Sequence, residues 1–86
     1  MEARKWNELK MATLEQLLFG SLTSRSLSRS LNISVENASM VLLRTHRQKL
    51  VDRTREEKTF PRKAFQYQIT DRGRERLDYL RRELEK

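Results

Sequence analysis

Cysteine is absent from this 86-residue chain. That excludes a disulfide framework and a thiolate metal site. It also accords with a reducing compartment. Long apolar runs are missing too. The longest is Met40–Leu43, far short of a membrane span or a signal-peptide core. A soluble cytoplasmic protein with no membrane partner is expected. Histidine occurs once, and no glycine-rich phosphate loop is present. The adjacent carboxylates Glu56 and Glu57 read as a solvated loop tip. His46 has no second His or Cys beside it. We therefore expect no enzyme, no metal and no cofactor.

What is abundant is positive charge, net +7, and it is unevenly placed. From Thr23 to Phe65 the chain holds ten Lys/Arg against four Asp/Glu, a net of +6. The two ends together hold nine basic and eight acidic residues. A basic middle between balanced ends suggests a polyanionic partner, most commonly nucleic acid. An evenly solvated surface would spread its charge. The length suits one domain, residues 1–86, burying roughly 60–65% of its unfolded surface.

Periodicity places six elements. A first helix runs from about Lys5 to Phe19, with Gly20 as its C-cap. Its apolar positions (Trp6, Leu9, Met11, Leu14, Leu17, Leu18 and Phe19) spread over more than half the circumference. A helix packed on one side needs a narrower stripe, so a second subunit is expected on the other side. "SLTSRSLSRSLNIS" is serine-rich and open to reading as a linker. However, Leu27 and Leu31 share one helical face, as do Arg25 and Arg29 on another, with Thr23 or Ser24 as N-cap. This gives a short helix from about Ser24 to Leu31. Asn32 tolerates the left-handed turn that follows, and Ser34 caps a third helix from Val35 to about Gln48. Ala38, Val41, Leu42 and Thr45 gather on its inner face; Glu36, Asn37, Met40, Leu43, Arg44 and Arg47 gather on the other. Helix, short turn and helix make a helix-turn-helix arrangement.

An extended segment opens at Leu50-Val51 as "LVDRTR". Pro61 assigns "EEKTFPRKA" to a loop. In "FQYQI", Phe65, Tyr67 and Ile69 alternate with Gln66 and Gln68 and read as a strand with Phe65 inward. A last helix runs from about Asp71 to Glu83, with Leu77, Leu80 and Leu84 in one stripe and Tyr79 facing away. The fold class is mainly α with a small β-hairpin.

In that order the segments carry a resemblance. "LTSRSLSRSLNIS" with "ASMVLLRTHRQKLVDR" resembles the helix-turn-helix and exit strand of winged helix-turn-helix transcription regulators. "YQITDRGRERL" resembles the strand-to-helix junction closing the wing in the MarR-like and PadR-like groups. The resemblance covers about Leu22 to Leu80. Asn32 stands where such families often have glycine, and Thr45 where leucine is common.

The resemblance implies a DNA-binding regulator of transcription. The third helix would enter the major groove, with Glu36 facing cytosine, Asn37 facing adenine, and Met40 or Leu43 against thymine methyls. Met40 and Leu43 stay open as a protein contact instead. Arg44, Arg47, Arg25 and Arg29 would meet phosphates, with hydroxyls from Ser24 and Ser34. Arg53, Arg55, Lys58, Arg62 and Lys63 would follow the backbone as a wing, Arg62 resembling the arginine that enters the minor groove. Phe60 reads either as a base-stacking residue or as core. The terminal helices (about 5–19 and 71–84) would form a homodimer through Trp6, Leu9, Leu14, Leu17, Tyr79, Leu80 and Leu84. Such a dimer would read a palindrome with half-sites about one helical turn apart. A small-molecule effector is conceivable, but no residue marks it. Two other functions fit the same residues: an RNA-binding or ribonucleoprotein winged helix, and a protein-interaction module.

Overall fold

Two hydroxyls set where the middle helices begin. Thr23 adopts an extended conformation, and its Oγ1 accepts from the Ser26 amide at 3.1 Å. Ser34 does the same for the Asn37 amide at 3.0 Å. Each satisfies one of the first free amides of its helix. The computed structural model describes residues 3–56 and 64–84, with side chains over 5–54 and 65–84. Within them the order is α1 (Ala3–Leu17), α2 (Ser24–Leu31), α3 (Val35–Arg47), β1 (Val51–Glu56), β2 (Ala64–Ile69) and α4 (Asp71–Leu84). This is a mainly helical chain with an antiparallel two-stranded hairpin, compatible with a winged-helix-like arrangement. No described helix is long and apolar enough to cross a membrane.

The core draws on every element. Leu14 and Leu17 of α1, Leu27 of α2, Ala38, Val41 and Leu42 of α3, Leu50, Val51, Tyr67, and Leu77 and Leu80 of α4 form one buried cluster. Each large apolar side chain in it contributes about 1.5–3 kcal/mol. The wide apolar arc of α1 follows from this packing. That helix touches α2, α3, α4 and β2, so one helix serves several neighbours of the same chain. Leu14, Leu17 and Leu80 are buried there, which corrects their expected place in a subunit interface. They leave no surface for a partner. Trp6, Leu9 and Leu84 are half-buried, and Tyr79 is exposed. Arg81 and Glu15 join α4 to α1 at 3.6 Å; half-exposed, the pair contributes little.

The first helix also ends earlier than its sequence suggests. After Leu17 the amides of Leu18, Phe19 and Gly20 donate to carbonyls three residues back. The chain tightens, then passes Gly20 at φ +142°. This turn delivers Leu22 to Tyr67, where the two exchange both backbone hydrogen bonds, at 3.0 and 2.8 Å. Phe19 is left 88% exposed.

In the hairpin, Val51 pairs with Ile69, Arg53 with Tyr67 and Arg55 with Phe65. Opposed residues share a face, so one face carries Val51, Tyr67 and Ile69 inward at its base. Phe65 lies further out on that face, 37% exposed, with the Arg53 guanidinium 4.3 Å from its ring centroid. The expectation that Phe65 belongs to the core is corrected. Its phase is right, but the core ends below it. Residues 57–63, with Lys58, Phe60, Arg62 and Lys63, lie outside the described residues, as do the side chains of Arg55 and Glu56.

Thr45, on the inner face of α3, is fully buried with its hydroxyl satisfied. Its Oγ1 lies 2.8 Å from the Val41 carbonyl and 3.0 Å from that of Leu42. Beyond it, Lys49 takes φ +63°, while the Lys49 and Leu50 amides bond back to His46 and Thr45. Glycine suits that left-handed position better, because a Cβ there clashes with the backbone. Lys49→Gly should stabilise the fold by about 0.5–1 kcal/mol. A urea midpoint at or below the wild-type value would refute this.

Lys10 is the other residue out of keeping with its surroundings. It is 6% exposed on α1. Burial, and then the Arg76 charge, lower its pKa below the ordinary 10.5. The folded state therefore releases this proton at lower pH than the unfolded chain. Its penalty is full below the folded pKa, and stability rises with pH from there toward 10.5. Lys10→Met should stabilise the protein at neutral pH by about 1 kcal/mol, or several degrees of Tm. The advantage should shrink at alkaline pH. Melting curves at pH 7 and pH 10 test this; a gap that widens at pH 10 would contradict it.

Candidate nucleic-acid interface

Of the net charge of +7, a net of +3 belongs in the fold to two packed helices. From Ser24 to Arg47 there are four arginines and one acidic residue, Glu36. The terminal helices are nearly balanced: α1 holds three basic and two acidic residues, and α4 five and four. The α2–α3 pair packs through Leu27 and the inner stripe of α3. That packing turns Arg25, Arg29, Arg44 and Arg47 to solvent.

Asn32 makes the connection possible. Its φ of 53° and ψ of 48° are left-handed, and its amide donates to the Ser28 carbonyl. Ile33 donates to the same carbonyl, and Ser28 Oγ donates to the Ile33 carbonyl at 2.6 Å. Asparagine adopts this conformation more readily than most residues. Asn32 is therefore accommodated at this turn.

At the start of α3, Glu36 and Asn37 are exposed beside the Ser34 cap. The Ser34 oxygen accepts the Asn37 amide, so its hydroxyl hydrogen is not used by that bond. The helix dipole is positive here. Further along, Met40 is half-buried and Leu43 is 37% exposed. Val35, not singled out from the sequence, is 46% exposed. Ser24 is half-buried as the first residue of α2.

Two of the expected phosphate contacts stack on aromatic rings. The Arg44 guanidinium lies 4.9 Å from the Trp6 ring centroid, and that of Arg53 lies over Phe65. Both distances are within cation–π range, and a guanidinium's five N–H donors exceed what one ring contact engages. Neither pairing was legible in the sequence, because Trp6 and Arg44 are 38 positions apart. Phe65 and Arg53 meet only through the hairpin register. Among the described residues, no group of three or more His, Cys, Asp or Glu side chains is placed to hold a metal ion.

No protein-family model, no curated protein and no solved structure matches this chain.

Proposed function

We propose that this chain is a winged helix-turn-helix protein that binds double-stranded DNA and regulates transcription, working in the cytoplasm. The observation carrying this is the solvent face of the α2–α3 pair, with four exposed arginines and one carboxylate. A net positive charge on the exposed side of a helix pair fits a phosphate backbone. In this reading α3 enters the major groove. Glu36 accepts from a cytosine amino group, Asn37 pairs with adenine, and Met40 and Leu43 rest against thymine methyls. Arg25, Arg29, Arg44 and Arg47, with the Ser24 and Ser34 hydroxyls, hold phosphates. The hairpin, through Arg53, Arg55, Lys58, Arg62 and Lys63, acts as a basic wing.

The homodimer belongs to the same proposal, on a smaller surface than the sequence suggested. Leu18, Phe19 and Tyr79 are exposed, and Trp6, Leu9 and Leu84 are partly so. Sedimentation equilibrium checks this: a dimer supports it, and a monomer at high micromolar concentration removes it.

A second reading has its own observation. Val35 and Leu43 are exposed apolar residues on α3, where a protein partner could dock. Fluorescence anisotropy separates the readings. DNA from upstream of the chain's own gene, a shuffled duplex and a structured RNA are titrated at several salt concentrations. Binding to duplex that weakens steeply with salt supports the DNA reading, and a roughly thousandfold or greater preference for one duplex makes it specific. Preference for the RNA, or no binding at low salt, overturns it.

A further inference from the structure

We infer that Trp6 is a positioning residue for DNA binding, holding Arg44 ready for a phosphate; this rests on the DNA-binding reading above. Arg44 projects from α3 and is exposed. A free arginine there samples many rotamers, and a phosphate contact must freeze them. Immobilising such a side chain typically weakens an interaction by about two- to tenfold. Here a ring contact already restrains the side chain. The guanidinium lies 4.9 Å from the indole centroid, within cation–π range. The indole is itself held, because Trp6 is half-buried and packs against the core cluster.

What the contact leaves free matters too. A guanidinium carries five N–H donors, more than one ring contact engages. A phosphate can bind at the others while the indole stays in place. The first helix thereby sets the position of a charge on the third, although it carries no expected phosphate contact itself. The two residues act as one unit: removing the ring leaves the charge but not its position.

That separation gives the test. Duplex affinity is measured across salt concentrations for wild type, Trp6→Leu, Trp6→Phe, Arg44→Ala and the double variant Trp6→Leu/Arg44→Ala. Arg44→Ala should weaken binding and lower the salt slope by about 0.9, the loss of one phosphate contact. Trp6→Leu should weaken binding about three- to tenfold with the slope unchanged, because the charge is still present. Trp6→Phe, which keeps an aromatic face, should recover most of that loss. The double variant should bind like Arg44→Ala alone. A merely structural role for Trp6 would instead weaken binding again in the Arg44→Ala background, and that result overturns the inference. Unchanged or tighter binding by Trp6→Leu overturns it as well, by showing that the indole withholds the charge or is irrelevant to it. Failure of the wild type to bind duplex DNA overturns both this inference and the reading beneath it; the other outcomes leave that reading standing.

Discussion

Gly73→Ala should cost about 3 kcal/mol, more than half the stability of a domain this size at about 5 kcal/mol. The reason is the junction where β2 becomes α4 with no loop between. A Cβ on residue 73 would run into the Leu50 carbonyl oxygen, nearer than non-bonded atoms approach, and would meet Ile69 Cγ1 at 2.8 Å. The carbonyl is not free to retreat, because it accepts the Thr70 amide at 3.0 Å. Thr70 is tied down in turn. Its Oγ1 donates to the Lys49 carbonyl at 2.8 Å and accepts the Gly73 amide at 3.0 Å. Relief of the clash must therefore pull apart the cap, the strand end and the exit from α3 together. Alanine favours helix over glycine by about 1 kcal/mol, too little to offset this. Urea denaturation measures the effect, and a midpoint close to wild type would show that the junction is more compliant than described.

The second large effect concerns binding. Replacing Arg25, Arg29 and Arg47 together with alanine should weaken duplex binding on the order of a hundredfold near 0.1 M salt and lower the salt slope by about 2.7, the sum of three phosphate contacts. All three are exposed, so stability should change little. Arg82→Ala, an exposed change near the end of α4, should leave the slope as it is. If the triple variant binds as tightly as wild type, the α2–α3 face is not where the phosphates lie.

How much of this was legible beforehand follows from the range of each signal. Local chemistry was readable. The Ser34 cap, the left-handed Asn32 and the inner stripe of α3 each depend on a few neighbouring residues, and each is found in the structure. Periodicity also identified the apolar face of α1, but it could not say which neighbours cover that face. Leu14 and Leu17 therefore looked available to a second subunit, when α2, α3, α4 and β2 supply the packing. Phe65 failed for a related reason: alternation gives a side of the sheet, not the depth of the core beneath it.

Leu22 had no signal of its own, since a single bridge has no period. Lys10 and Lys49 broke local rules for reasons outside their own segments. The former is buried where its helix meets the rest of the fold, and the latter is bent left-handed to let Leu50 reach Thr70. Of the candidate site, the exposed positions on α2 and α3 could be counted in advance. The stacking of Arg44 on Trp6 and of Arg53 on Phe65 could not, because each depends on how separate elements meet.

The central claim is that the α2–α3 face meets duplex DNA. Amide chemical-shift mapping of the isotopically labelled protein, titrated with a short duplex at low salt, tests it directly. The account predicts that the largest shifts fall on residues 24–29 and 34–47, while the C-terminal half of α4 is nearly unchanged. Shifts concentrated on α1 and α4, or none at any residue, would contradict it.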